Sequence, residues 1–191
     1  KCNVMYIGND SHNVNFNLNK NMLAAVDKVR DLGIIIDSNL TFNAHINQVV
    51  SRASIRANLI HKCFMSRDAA NLQRAFLIYV MPLLEYASCV WSHHHGRKIK
   101  KVESVQSKFT KRLPGFSTLD YKSRLLKLGI ESLELRRLRQ DLVYTYKLIF
   151  GLVSQSAGDF FKLANSVHSS NTRGHEYKLF VNYSRVDSRH T

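Results

Sequence analysis

The chain has 191 residues, of which 45% are hydrophobic, 28 are lysine or arginine and 14 are aspartate or glutamate. This apolar fraction excludes a disordered polymer, and the length allows either one domain or a small lobe joined to a helical bundle. The formal net charge of +14 predicts binding to a polyanion, most often nucleic acid or an anionic membrane surface.

The cysteine pattern and the hydropathy indicate the cellular compartment of the protein. The three cysteines, which are far apart and form no CxxC pair, are Cys2, Cys63 and Cys89. They predict neither a disulfide framework nor a zinc ribbon, and they favour a reducing compartment, the nucleus or the cytoplasm. The longest apolar run, residues 75–84, is too short to span a bilayer, so we expect no membrane partner. Because the sequence starts at Lys1 without a signal peptide, we expect it to be truncated at its start.

Short strands are predicted in the first 40 residues. The strings "CNVMYIG", "VNFNL" and "VRDLGIIID" alternate with turn-forming "GNDSHN" and "NKN". Residues 1–46 contain four basic and four acidic side chains, so this part of the chain is neutral. The pattern predicts a small antiparallel sheet.

Helical periodicity begins after Thr41, with Asn43 as the predicted N-cap. The first helix has one apolar face, formed by Ile46, Val49, Val50, Ala53, Ala57, Ile60 and Phe64. A second helix is predicted from about Asp68 to Trp91, with a bend near Pro82. Its inward side chains are Leu72, Phe76, Tyr79, Val80, Leu83 and Leu84, and Cys89 and Trp91 are expected to pack at its end.

Three further helices follow. One runs from about Arg97 to Leu113 and is stopped by proline and glycine, and a shorter one in "LDYKSRLLKLG" ends at Gly129. The last, "SLELRRLRQDLVYTYKLIFGL", has one apolar stripe in helical register, formed by Leu135, Leu138, Leu142, Tyr146 and Ile149. The tail after Phe161 predicts loop and a weak hairpin, "YKLFVNY". The fold class is therefore α+β, with strands in 1–40, a helical region in 41–163 and a truncated loop or hairpin tail in 164–191.

The helix after Arg97 separates its side chains into two faces. Residues 97–139 carry 13 basic and four acidic side chains, so most of the net charge lies here. At 100° per residue, Ile99, Val102, Val105, Phe109 and Leu113 fall on one face. The other face is cationic, with Arg97, Lys98, Lys100, Lys101, Lys108, Lys111 and Arg112. Only Glu103 lies among these cations, which repel one another, so we interpret the face as a phosphate-binding surface rather than a merely solvated one.

Three consecutive histidines, His93 to His95, precede the lysine run. Side chains of consecutive residues point in different directions, whereas zinc ligands converge tetrahedrally, and no partner pair follows at ligand spacing. We therefore predict no metal site. The three histidines are instead interpreted as part of a loop or helix end, or as an auxiliary phosphate contact.

No catalytic residue is predicted. Polymerisation by two metal ions needs carboxylates that share ions about 3.5–4 Å apart, and the acidic residues here are scattered without an Asp-Asp pair. The sequence also lacks a GxxxxGK loop, a GxSxG elbow and an HExxH motif. We accordingly expect this chain to bind no cofactor.

Several strings, in order over nearly the whole chain, resemble the C-terminal part of a non-LTR (LINE-type, jockey-like) retrotransposon reverse transcriptase. The strings that carry this resemblance are "KCNVMYIG", "VRDLGIIIDSNLTFNAHI", "RAFLIYVMPLLEYASCVWS", "KVESVQSKFTKRLPG", "YKSRLLKLGIESLELRRLRQDLVYTYKLIFGL" and "TRGHEYKL". The family pattern commonly has proline after "VWS", where this sequence has His93 to His95.

The resemblance implies an RNA-directed DNA polymerase whose palm core and fingers, with the catalytic carboxylates and Mg²⁺, would precede Lys1. The chain would then contain the last palm strands and the helical thumb, and its partners would be an RNA template, a DNA primer and the rest of the polymerase chain. The resemblance also places Lys1 where polymerases carry a lysine suited to protonating the leaving pyrophosphate. It places Leu32, Gly33 and Ile34 along the primer end, although a buried strand with close backbone approach at Gly33 fits these residues equally well.

Three functions remain open at this point. The chain could be a reverse-transcriptase thumb fragment that holds the template–primer duplex and is inactive alone. It could instead be an independent nucleic-acid-binding helical protein, such as a domesticated transposon remnant, or a structural or interaction bundle whose charge only keeps it in solution. A Tyr- or Phe-x-Asp-Asp turn encoded upstream of Lys1 would distinguish the first from the second.

Overall fold

The computed structural model describes residues 2–7, 15–18, 20–92, 96–164 and 177–181. They form two compact units, Lys1–Leu133 and Glu134–Thr191, which are described separately. The first unit contains short strands followed by six helices, and the second contains one long helix and a short tail. The predicted α+β fold class is therefore confirmed, whereas the predicted boundaries at residues 40 and 163 stay predictions.

The strands of the first unit form two-stranded ribbons instead of one antiparallel sheet. The strand bounds are β1 Asn3–Val4, β2 Asn17–Leu18, β3 Asn21–Met22, β4 Ala24–Ala25, β5 Lys28–Asp31 and β6 Ile34–Asp37. The pairs β2–β3 and β5–β6 are antiparallel, and β1–β4 is parallel. The β5–β6 ribbon has the longest register, from Lys28 opposite Asp37 to Asp31 opposite Ile34.

The first unit has six described helices. Their bounds are α1 Asn43–Cys63, α2 Ala69–Tyr79, α3 Met81–Glu85, α4 Ser88–Trp91, α5 Gly96–Lys111 and α6 Tyr121–Leu128. Apolar faces of α1, α2, α3 and α5 meet in one core, to which β6 contributes Ile34. At its centre the rings of Phe76 and Phe109 stack with centroids 4.4 Å apart. Most of the apolar residues that the helical periodicity predicted to face inward are therefore in this core or pack against it, whereas Phe64 is 37% exposed.

The start of α1 corrects the predicted cap. Phe42, not Asn43, is the N-cap residue; it has a φ of 52° and supplies no side-chain cap hydrogen bond. The connection from β6 is instead held by buried Asp37, which accepts hydrogen bonds from the Thr41 N–H at 2.8 Å and the Thr41 hydroxyl at 3.1 Å. Burial acts to raise the pKa of Asp37, but hydrogen bonds, led by those from Thr41, outweigh burial and hold the pKa below its usual value.

The predicted helix from Asp68 to Trp91 is broken into three pieces. Asp68 caps α2 by accepting a hydrogen bond from the Asn71 N–H at 2.9 Å, and Pro82 opens α3 rather than bending a continuous helix. Trp91 is buried, as predicted, and its Nε1 donates to the Tyr86 carbonyl oxygen at 2.8 Å. Two expectations were wrong, because the side chains of Tyr79 and Cys89 are exposed.

In the second unit, α7 spans Leu133–Ile149, beginning at the last residue of the first unit. A single 3-10 turn follows at Ala157–Asp159. The predicted hairpin in "YKLFVNY" is replaced, over its described part, by an antiparallel bridge between Leu163 and Leu179. The rest of the tail lies outside the described residues.

Candidate nucleic-acid interface

The cationic face predicted on α5 is divided into two rows by its contacts with α1. One row, which we call the docking row, consists of Lys98, Lys101 and Arg112. Lys98 Nζ donates to the Thr41 carbonyl oxygen at 2.7 Å, just before α1 begins. Lys101 Nζ donates to Asn47 Oδ1, and Arg112 donates to Asn58 Oδ1 at 2.6 Å. These three cations therefore orient α5 on α1.

The docking row fixes the relative direction of the two helices. The bonds from Lys101 to Asn47 and from Arg112 to Asn58 each join residues 54 positions apart. An equal offset at two points requires α1 and α5 to run parallel, with the two bonds about 16 Å apart along the helices. Buried Val102, Val105 and Phe109 lie on the adjoining face of α5, so apolar packing and polar bonds hold the same register.

The remaining cations of the predicted face form a second row, which we call the outer row. Its members are Arg97, Lys100, Lys108 and Lys111, and all four are exposed. Among the described residues, their side chains have no hydrogen-bond or ion-pair partner. At 100° per residue they fall within an arc of about 80°, and they extend over about 21 Å of helix. The outer row is thus a compact cationic surface.

The far edge of α5 is anchored by part-buried polar groups. Glu103 accepts hydrogen bonds from the Tyr121 hydroxyl and from the Leu133 N–H, and Gln106 Nε2 donates to the Glu131 carbonyl oxygen at 2.8 Å. Burial, and then the Glu103 carboxylate, raise the pKa of Tyr121, so its hydroxyl stays a donor. The one acidic residue within the predicted cationic face therefore has a structural role.

The residues predicted to contact the primer strand form the tip of the β5–β6 hairpin. Leu32 and Gly33 are the two central turn residues, with φ of 44° and 88°, as in a type I′ turn. Leu32 is 81% exposed and Ile34 is buried, so the three residues do not share one environment. The Tyr86 hydroxyl donates to the Leu32 carbonyl oxygen at 2.9 Å, which holds the tip against the helices.

A small groove beside this tip contains residues that the sequence did not indicate. It is lined partly by Gly33 and Tyr86 and partly by α1 residues His45, Gln48 and Arg52. Arg52 is exposed and brings a positive charge close to the hairpin tip. No signal in the sequence could have identified it, because the contact depends on how the hairpin packs on α1.

Two buried histidines flank the core side of α1. His45 Nδ1 accepts a hydrogen bond from the Ile35 N–H at 3.3 Å, and His61 packs on Phe109 with ring centroids 4.5 Å apart. Burial, and then the charge of Arg30, lower the pKa of His45. Burial also lowers the pKa of His61, and the charge of Arg112 adds to this effect. Both side chains are therefore neutral near neutral pH and serve as packing groups.

The described part of the chain contains neither a cluster of metal-binding side chains nor a membrane-spanning helix. Among the described residues, no three His, Cys, Asp or Glu side chains converge on a possible metal site. No described helix combines the length and the apolar character that crossing a bilayer requires. His93 to His95 and Lys1 lie outside the described residues.

Comparison with known proteins shows a distant similarity to a protein of a nematode. Over 128 residues the chain is 27% identical to an uncharacterized protein of Caenorhabditis elegans, and the match covers 65% of the chain and 65% of the relative. The match therefore spans less than two thirds of that protein's length. No protein-family model and no solved structure matches the chain. These comparisons assign neither a family nor an activity.

Proposed function

We propose that this chain is the C-terminal palm and thumb part of a non-LTR, LINE-type reverse transcriptase. In this role it holds the template–primer duplex and does not polymerise alone. The ordered strings from "KCNVMYIG" to "TRGHEYKL" support the family. The outer row of α5 supports the nucleic-acid contact, and it is the observation on which the proposal depends most.

The outer row supports phosphate binding for an energetic reason. Like charges three or four residues apart on a helix repel by a few tenths of a kcal/mol per pair. The side chains of Arg97, Lys100, Lys108 and Lys111 have no carboxylate partner among the described residues to offset this repulsion. Phosphates would offset it and would release condensed counterions on binding. We therefore assign phosphate contact to the outer row and helix packing to the docking row.

The hairpin tip extends the proposed surface. In the family resemblance Leu32, Gly33 and Ile34 lie along the primer end, and the tip carries an exposed Leu32 side chain. Arg52 lines the adjacent groove and supplies a cation there. A primer backbone following this surface would meet the tip and Arg52, while the outer row would meet phosphates elsewhere on the duplex.

The test measures the salt dependence of binding to a fluorescent RNA–DNA hybrid. Changing Lys100, Lys108 and Lys111 to glutamine removes three outer-row charges and keeps helix propensity. If all three contact phosphates, the slope of log affinity against log salt becomes shallower by roughly 2–3, at about 0.9 per neutralised phosphate in a B-form duplex. In the matched control variant, three exposed lysines of other elements are changed to glutamine: Lys28, Lys122 and Lys147.

The two triple variants have the same net charge, so a difference between their salt slopes comes from the positions of the removed charges. A shallower slope only in the outer-row variant supports the proposal. If both variants showed the same shallower slope, the binding would come from diffuse attraction by the net charge and not from the outer row. An unchanged slope in a folded outer-row variant would favour the structural bundle. An upstream reading frame with a Tyr- or Phe-x-Asp-Asp turn would favour the polymerase over an independent nucleic-acid-binding remnant.

A further inference from the structure

An apolar groove lies between the end of α1 and the end of α2, away from the docking contacts of α5. It is lined by Arg56, Leu59, Ile60, Cys63, Phe64 and Tyr79 and has a volume of about 260 Å³. An apolar cavity of about 150 Å³ already accepts a benzene-sized group, so this groove has room for at least one large apolar side chain.

Exposed apolar side chains continue beyond the groove on both helices. Ile55 lies one turn before Leu59 on α1, and Ile78 precedes Tyr79 on α2; both are exposed. Met65, next to Phe64, is 97% exposed. Isolated exposed apolar residues are normal, but a contiguous set around a groove is typical of an interaction site.

Cations lie along the α1 edge of this groove. Arg56 lines the groove, and exposed Lys62 lies one turn after Leu59 on the same helix. Arg56 donates to the Tyr79 carbonyl oxygen, a neutral acceptor, so this bond does not neutralise its charge. Asp68, the acidic residue between α1 and α2, is the N-cap of α2. The groove is thus apolar inside and cationic at its α1 rim.

The chemistry of the lining distinguishes between two kinds of ligand. A nucleobase carries polar edge atoms that need hydrogen-bond partners when buried, because burying them unpaired costs free energy. The lining is mainly aliphatic and aromatic, with one thiol, and Arg56 already donates to a backbone carbonyl. An aliphatic or aromatic side chain of a protein meets this lining without an unpaired polar atom.

We propose that this groove, which we call the α1–α2 groove, binds an amphipathic helix of a partner protein. The partner helix inserts apolar side chains between Leu59 and Tyr79, and its flanking carboxylates face the cationic rim. This surface is distinct from the outer row, so the proposal does not depend on the nucleic-acid function.

Cys63 provides a reporter inside the groove. All three cysteines are free and exposed, so replacing Cys2 and Cys89 by serine leaves Cys63 as the single thiol. The probe is a synthetic amphipathic helix of about 15 residues with leucine at i, i+3, i+4 and i+7 and flanking glutamates. At a peptide concentration of about ten times Kd, occupancy lowers the rate of Cys63 alkylation by about tenfold. The same peptide with lysine flanks is expected to give no protection.

A matched pair of variants tests the position. Leu59→Glu places a charge in the groove and abolishes protection, whereas Leu126→Glu, at an exposed leucine on α6, leaves protection unchanged. Circular dichroism checks that both variants fold. Absence of protection at about 1 mM glutamate-flanked peptide would overturn the proposal. Protection that depends on the protein's own concentration would also overturn it, in favour of a second copy of the chain. Protection by an RNA–DNA hybrid instead of the peptide would overturn it in favour of nucleic acid.

Discussion

Arg112 donates a hydrogen bond to Asn58 at 2.6 Å, and the same offset of 54 residues separates Lys101 from its acceptor Asn47. Two bonds with one offset fix α1 and α5 in a parallel register. Part of the cationic face therefore stabilises the fold, and the outer row is the part of the face without such bonds among the described residues. A nucleic-acid test that substitutes docking-row residues would change the helix packing and the binding charge together.

A double-mutant cycle measures the docking bond. Since Arg112 and Asn58 are both exposed, we expect a coupling free energy of about 0.5–1 kcal/mol between Arg112→Gln and Asn58→Ala in urea unfolding. The higher helix propensity of alanine changes the stability of both Asn58→Ala variants equally, so it does not contribute to the coupling free energy. The control pairs Arg112→Gln with Asn47→Ala, residues that share no bond, and its coupling is expected to stay within about 0.3–0.5 kcal/mol. Equal coupling in both cycles would contradict the register.

The hairpin tip gives a prediction about backbone strain. A Cβ added to Gly33 would lie 3.8 Å from Tyr86 Cε1, which is ordinary contact, so space does not exclude alanine. The φ of 88° does disfavour it, and Gly33→Ala is expected to lower the free energy of unfolding by about 1–2 kcal/mol.

Leu32→Asn is the matched change at the other turn position. Leu32 is exposed at a φ of 44°, a conformation that asparagine tolerates better than leucine. We expect this variant to be as stable as the parent, or more stable by up to about 1 kcal/mol. If urea unfolding showed that Gly33→Ala costs nothing, the turn assignment would be incorrect.

The turn of the β5–β6 hairpin is a feature that the sequence did not predict. The string "VRDLGIIID" predicts one strand, and its Leu-Gly pair is not the Asn-Gly or Asp-Gly pair that marks a type I′ turn. The turn forms all the same, with Tyr86, 54 residues away, bonded to its backbone. Local propensity could not predict a turn that depends on a tertiary contact.

Periodicity predicted the packing side of α5 correctly but not the partners of its cations. The apolar positions Val102, Val105 and Phe109 are buried as predicted, because angular position on a helix follows from sequence alone. The division into docking and outer rows could not be predicted, since it depends on acceptors in α1. The fold class and core faces were thus predictable, whereas the composition of the interface required the tertiary structure.

The long helix α7 gives a contrast between two leucines. Leu142 belongs to the predicted apolar stripe but is 62% exposed, whereas Leu148 is 3% exposed. We expect Leu142→Gln to change the unfolding free energy by no more than about 0.5 kcal/mol. Leu148→Ala is expected to cost about 2–4 kcal/mol, through lost burial and a cavity. Thermal melts followed by circular dichroism at the helix band compare the two, and the reverse order would place the stripe in a core.

Primer extension tests whether the chain is inactive alone. We expect no extension of a DNA primer on an RNA template with Mg²⁺ or Mn²⁺, because two-metal polymerisation needs a converging carboxylate set. Among the described residues, no such cluster is present. A known polymerase added to the same reaction serves as the positive control. Extension that co-purifies with the chain, and that survives removal of contaminating polymerases, would refute the expectation.

The two buried histidines predict how stability depends on pH. The pKa of His45 and the pKa of His61 are both lowered in the folded state, chiefly by burial. Between the unfolded pKa of about 6.5 and the lower folded pKa, the unfolded chain binds more protons than the folded chain. Their contribution to stability is therefore present above about pH 6.5 and is lost as the pH falls, with a limiting slope of about 1.4 kcal/mol per pH unit for each histidine.

The variant His61→Gln isolates one of these contributions. Urea unfolding of the parent and the variant between about pH 7.5 and pH 5 brackets the histidine range. We expect the difference in their unfolding free energies to shrink as the pH falls, because the variant no longer has that titration. Other titrating groups contribute equally to both proteins and cancel. Asp37, whose pKa is also lowered, loses its contribution only below about pH 4, outside this range. A difference that stayed constant with pH would mean that His61 has the same pKa in the folded and unfolded chains.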